Sequence, residues 1–396
     1  MNTFTSTRRK FLESAAGAAG LVALPGLAHA QLTLPKSPIT LNIVDGAGDL
    51  ALTQRIFDNY RKAKPHLVSR INFTKAPQPE IPGKLKAQQS ANRNDIDLVL
   101  TGYDGLSIGS EQGVYKQLLP LYASNLPKLD DLYVDGARKI QQMTKGFGLV
   151  VTYSPYGPLL QYMPERVKKV PATAEELLAW TRANKNRFTY ARPSNSGPGR
   201  SFLVGLPYIL GDANPKDPVK GWDKTWAYLK ALGENVEYYP SGTSAAMKEL
   251  GEGSRDIIAS TTGWDINPRA LGVVPKEAKI IALKGLHWCS DAHCWCVPKG
   301  VSDEKLAVIL DLMSFMLTKE QQATTFDTGY FYPGPAVKGV TIDMAPADSQ
   351  QVIKEFGRPE LEALMANNPH EVPLETATLV AAFRRWDEEI GVAKRS

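Results

Sequence analysis

The densest run of reactive side chains is His287-x-Cys289-x-Asp291-x-His293-Cys294-x-Cys296. It holds every cysteine of the chain. Its imidazole, thiolate and carboxylate groups are of the types that bind zinc or copper. Their spacing argues against one shared ion. On a strand, residues 287, 289, 291 and 293 point one way and residues 294 and 296 the other. No C-x-x-C pair is present. An oxidising compartment permits one disulfide here and leaves one thiol over. The plainer reading is a strand at the edge of a cleft with packed thiols, and no metal is expected. A secreted metal-dependent enzyme using residues 287–296 is the alternative. The chain has neither a G-x-S-x-G elbow nor an H-E-x-x-H pair to support it.

A second kind of chemistry is molecular recognition. Tyr103-Asp104 and Trp264-Asp265 each place an aromatic ring beside a carboxylate. Ring faces attract organic cations, and a sheltered carboxylate pairs with an amine. The competing reading is a packed ring with an aspartate capping the next turn. The stretch Arg192-Pro-Ser-Asn-Ser-Gly-Pro-Gly-Arg-Ser201 contains Ser196 and Arg200. Its backbone N–H groups and Arg200 suit a carboxylate or phosphate. It lacks the Gly-Lys-Ser/Thr ending of a nucleotide loop, and an ordinary helix entry is its other reading. Asp45 opens the turn Asp45-Gly-Ala-Gly-Asp49, and Tyr330 lies in Gly329-Tyr-Phe-Tyr-Pro-Gly334.

The elements that must position these groups alternate in type. Leu41–Val44 reads as a strand feeding a glycine turn and an amphipathic helix over 50–64. Strands at 71–73 and 96–100 follow, with a helix over 84–92 between them. An apolar run at 147–153 reads as a strand leaving the first unit. Thr173 is an N-cap for a helix from Ala174, with acids in its first turn. Strands at 188–190 and 256–260 and helices from 202, 222, 244 and 301 complete the pattern. Such alternation predicts an α/β fold with a parallel or mixed sheet covered on both faces. In open α/β sheets ligands sit beyond the carboxyl ends of strands. That is where the loops at 45–49, 102–105, 194–201, 263–265 and 288–293 fall.

At 396 residues the chain is too long for one compact core, so two lobes are expected. Hydrophobic and charged contents of 43% and 22% are those of a soluble globular protein. Residues 1–30 read as a twin-arginine export signal. Arg8-Arg9 precedes the small apolar stretch Ala15–Leu27, and Ala28-His29-Ala30 is an A-x-A cleavage site. Removing them takes away three basic groups and one acid, so the formal charge falls from +5 to +3. So small a balance gives no basic stripe for nucleic acid.

Several segments resemble family-1 periplasmic solute-binding proteins, closest to the polyamine-binding (spermidine/putrescine) type. In order, these are the strand Asn94–Val99, Gly251-Glu252-Gly253 before a strand, Cys296-Val-Pro-Lys-Gly300, the helix with Leu312–Leu317, Glu320–Ala323, and Gly329–Gly334. The resemblance implies a two-lobed fold of the type II periplasmic-binding-protein class, with a hinge and a ligand cleft between the lobes. It places residues 36–145 and 290–335 in one lobe and 146–289 and 336–396 in the other. It implies a periplasmic, non-catalytic monomer without a cofactor. Such a protein hands a small solute to an inner-membrane ABC permease. Asp291 falls near that type's amine-binding carboxylate. Asp45, Tyr103, Asp104, Ser196, Arg200, Trp264, Asp265, Asp291 and Tyr330 are the expected ligand residues. An organic cation, a polyamine or a thiamine-like compound, is the first expectation. Anionic and ferric-iron solutes are the alternatives. The iron reading needs adjacent phenolates such as Tyr238-Tyr239 to join Tyr330.

Overall fold

The computed structural model describes residues 32–392. The expected export signal over 1–30 lies outside them.

The first sheet grows from β1 (Ile39–Asp45), whose Leu41, Ile43 and Val44 are fully buried. β2 (Val68–Lys75) and β3 (Leu98–Gly102) flank it in parallel. Parallel neighbours require crossovers. The helix Leu50–Ala63 supplies one, burying Leu52, Ile56, Phe57 and Tyr60 on a single face. β4 (Leu149–Gly157) and β9 (Trp288–Cys296) run antiparallel to each other, and β9 also pairs antiparallel with β3. β10 (Gly334–Pro335) lies on β4, and β11 (His370–Glu371) runs beside the start of β9. The order is β10-β4-β9-β3-β1-β2.

The second sheet contains β5 (Leu159–Tyr162), β6 (Phe188–Thr189), β7 (Ile257–Ser260) and β8 (Lys279–Ile281), in the order β6-β7-β5-β8. Each sheet has its own core. Phe57, Tyr115, Tyr133 and Trp295 anchor the first. Phe188, Phe202, Trp222, Trp226 and Trp386 anchor the second. Two cores joined by chain crossings make the two-lobed α/β fold that was expected.

The strand at 288–296 lies inside its sheet, flanked by β3 and β4, and its run of apolar and thiol side chains fits a doubly covered strand. Four local readings change. β4 belongs to the first sheet, so the chain stays there past the boundary expected at residue 146 and passes to the second sheet at Pro158. The helix expected from Phe202 begins at Gly197. Ser196 Oγ accepts the Gly199 N–H at 3.1 Å and Pro198 fills the first turn, which outweighs the glycines nearby. Gly263–Asp265, read as a loop, forms the first turn of the helix Thr262–Ala270, capped by Thr261. In the same way, Tyr103 and Asp104 open the helix Tyr103–Glu111.

The C-terminal segment belongs to both lobes. Ala336 and Val337 lie in the first core, while Leu379, Ala382 and Trp386 of the helix Thr376–Trp386 lie in the second.

Candidate functional site

A cleft of about 670 Å³ opens between the lobes. Gly46, Gln78, Asp104, Asp291 and His293 line it from the first lobe. Ser194–Gly197, Arg200, Ser241–Ala245 and Trp264 line it from the second, with Tyr156, Tyr330 and Phe331 where the chain crosses. The helices Tyr103–Glu111, Gly197–Ile209, Thr243–Glu252 and Thr262–Ala270 all begin at its rim. Their positive ends therefore converge on the cavity. No side chain caps the Thr243–Glu252 helix, whose N-cap is Gly242.

Arg200 sits at the floor. It reaches across from the second lobe to bond Asp104 at 3.4 Å and, more closely, Asp291. Burial works against its charge, but Asp291 and Asp104 outweigh burial and hold its pKa above the ordinary value. Asp291 is pushed above the usual carboxylate range by burial, with Arg200 pulling it down and Asp104 raising it. Trp264 meets Tyr330 edge-on, ring centroids 5.4 Å apart, and the pair forms an apolar wall.

Six of the expected residues thus come together: Asp104, Ser196, Arg200, Trp264, Asp291 and Tyr330. The other three lie elsewhere. Tyr103 lines a chamber of about 40 Å³ behind Arg200. Burial, with Glu375 adding to it, pushes its phenol up to about 12. Asp45 shapes the loop beneath the cleft: its carboxylate accepts the N–H groups of Ala47, Gly48, Asp49 and Leu50 at 2.9–3.3 Å. Asp265 is fully buried, bonded to Arg269 at 2.7 Å, to Arg358 at 2.6 and 2.8 Å and to Gln161 at 2.9 Å.

The 287–296 cluster is dispersed. Cys294 and Cys296 lie in the first core, His287 pairs with Glu371 at 3.1 Å, and His293 faces Asp49 at 3.3 Å. All three cysteines are free and buried. Among the described residues no group of three or more His, Cys, Asp and Glu is placed to hold a metal ion. The tyrosines invoked for iron do not join Tyr330. Tyr238 bonds Glu249 at 2.8 Å on the surface, and Tyr239 is packed in the second core.

Sequence reasoning missed Gln78, Tyr156 and Ser241–Ala245, and noted His293 only within the 287–296 cluster and the 288–293 loop. Ser241–Ala245 carried a signal, since Ser-Gly-Thr-Ser before a helix is a cap pattern. Tyr156 gave none. It takes φ 71°, a conformation rare for a bulky residue and one that clusters at ligand sites.

No helix among the described residues is long and apolar enough to cross a membrane. No curated protein sequence matches the chain. Solved structures do match it. A putative spermidine/putrescine ABC transporter from Listeria monocytogenes has a TM-score of 0.61 at 14% identity, covering 89% of this chain and 99% of that one. A periplasmic thiamin binding protein has 0.60 at 16%, covering 92% and 100%. The periplasmic binding protein AfuA from Actinobacillus pleuropneumoniae, with fructose-6-phosphate bound, has 0.60 at 16%, covering 90% and 99%. At such identities these likenesses show the fold. The family model for bacterial extracellular solute-binding proteins matches residues 55–351, and the chain belongs to that family.

Proposed function

We propose that the protein captures a small solute bearing an anionic group in the interlobe cleft and passes it to an inner-membrane ABC permease. It does so in the periplasm as a non-catalytic monomer, after twin-arginine export directed by residues 1–30. The single observation that carries the reading is the cleft itself, about 670 Å³ and walled by both lobes. That volume suits a small molecule, and closure around it is a hinge motion.

The charge preference follows from which groups already have partners. Asp104 and Asp291 share Arg200, Asp265 is held by two arginines, and Asp45 is taken up by loop N–H groups. Each is already engaged within the protein. The second lobe's wall is built from Ser194, Ser196, Ser241, Thr243 and Ser244 at helix starts, a donor-rich surface suited to oxyanions. An organic cation would have to separate Arg200 from Asp104 or Asp291, though the Trp264–Tyr330 wall suits such a ligand.

A melting-temperature screen of the mature protein, residues 31–396, tests the reading. Sugar phosphates, inorganic phosphate, phosphonates, carboxylates, polyamines and thiamine are the ligands. A tight ligand raises the melting temperature by mass action. A rise with an anionic class is expected. A rise with polyamines or thiamine alone would overturn the charge preference and keep solute capture. No rise with any class would count against capture.

A further inference from the structure

His293 lines the cleft without being one of the expected ligand residues. It lies on β9 opposite Gly102 and Thr152, 6% exposed. Its ring stacks on Phe331, centroids 4.4 Å apart at 23°. Its Nδ1 lies 3.3 Å from Asp49 Oδ1, and neither atom has a hydrogen-bond partner. Asp49 is fully buried, and its other oxygen accepts only the Trp295 Nε1–H, at 2.7 Å. A cation facing a buried carboxylate stabilises it. Among the described residues His293 is the basic group that pairs with it.

We infer that His293, which faces Asp49 and lines the cleft, is the first lobe's recognition residue for an anionic group of the solute, gripping it against the Ser241–Ala245 wall of the second lobe as the cleft closes. The inference deepens the proposed function and rests on it. Asp49 is a positioning residue, since Trp295 and the loop built by Asp45 hold it in place. The ionisable groups around the imidazole are acidic. Asp49 and Asp45 approach from the loop before the Leu50–Ala63 helix, and Asp291 lies on β9 with Arg200 engaging it from the second lobe. Burial works against the imidazolium, but these three carboxylates outweigh it and hold His293 above its ordinary pKa. The sign follows. Below that raised pKa the cation is present and the anion is bound fully. As pH rises through it, the cation and the affinity are lost, so binding the anion near that pH takes up a proton.

Calorimetry with inorganic phosphate and fructose 6-phosphate, between about pH 5.5 and pH 9, tests this on the mature protein. The variants are His293→Gln, which keeps a donor without charge, and Asp49→Asn. Comparison with His293→Gln at each pH cancels the titration of the ligand itself. At low pH His293→Gln is expected to bind on the order of ten-fold more weakly, the scale of one charged hydrogen bond, and to lose the protein's share of the pH slope. Asp49→Asn is expected to move the wild-type pH profile to lower pH. NMR titration of the His293 ring in the wild type checks the same point without any variant. A ring that is neutral throughout would overturn the inference. Equal affinity and slope in wild type and His293→Gln would do so too and leave solute capture standing. If neither phosphate binds the wild type while another ligand raises its melting temperature, the inference falls and capture stands.

Discussion

Arg200 and Asp291 form an ion pair across the floor of the cleft, one contributed by the Gly197–Ile209 helix of the second lobe and the other by β9 of the first. The pair couples ligand chemistry to lobe position, because anything that engages Arg200 or Asp291 also acts on a bond between the lobes.

Arg200→Ala leaves Asp104 and Asp291 facing each other without a cation. Breaking a buried pair costs about 3–5 kcal/mol. Here the side chains keep 15–23% exposure, so solvent screening reduces the expected loss to about 1–3 kcal/mol. Urea unfolding reads the loss. Small-angle scattering of the ligand-free variant should show a larger radius of gyration, as the lobes part. An unchanged radius would mean that other contacts hold them.

Asp265→Asn separates structure from binding. Its carboxylate is fully buried against Arg269 and Arg358, so the variant strands two guanidinium groups and should lose about 3–5 kcal/mol. Asp265 does not line the cleft, so any solute found in the screen should bind the folded variant as it binds the wild type. A large drop in affinity with little loss of stability would return Asp265 to the binding site.

These two aspartates also mark how far the sequence could be read. Alternation of strands and helices, with Thr173 as a cap, was visible because it is local. Asp104 lines the cleft just past the end of β3, where such sheets place ligands, and Asp291, expected from the family resemblance, lines it from the middle of β9. Asp265 carries the same aromatic–acid signature as Asp104, yet Arg358, far away in sequence, claims it. His293 was hidden in a run whose cysteines suggested a metal. Its role depends on Asp49 and Phe331, which only the tertiary fold brings to it. Side-chain partnering is non-local, and residue type alone does not reveal it.

The thiols offer a test that needs no ligand. Burial pushes the Cys289 thiol up to about 12 and holds Cys294 and Cys296 well above the ordinary value. Nucleophilic thiolate is therefore scarce at neutral pH, and all three residues are buried and free. A thiol reagent that gives a coloured product should react slowly with the native protein and label all three cysteines once urea has unfolded it. Fast labelling of one thiol before unfolding would show local opening of β9. Fewer than three labels in urea would show a disulfide.

Gly263 fixes the second lobe against the segment that crosses between lobes. A Cβ at this position would lie 2.0 Å from the Tyr330 carbonyl oxygen, a backbone atom that cannot swing aside. Gly263→Ala must therefore shift the start of the Thr262–Ala270 helix or the crossing segment. Overpacking of this kind costs about 1–3 kcal/mol. Because Trp264 follows Gly263 and Tyr330 carries the oxygen the new Cβ would meet, their 5.4 Å edge contact should loosen, lowering both melting temperature and solute affinity. Gly83 is the control. It lies in the Ile81–Ser90 helix, and an added Cβ meets nothing within 4 Å. Gly83→Ala should therefore gain about 0.5–1 kcal/mol through helix propensity. If both variants melt at or above the wild-type temperature, the approach of Gly263 to Tyr330 does not constrain the molecule, and the rigid aromatic wall built on it is lost.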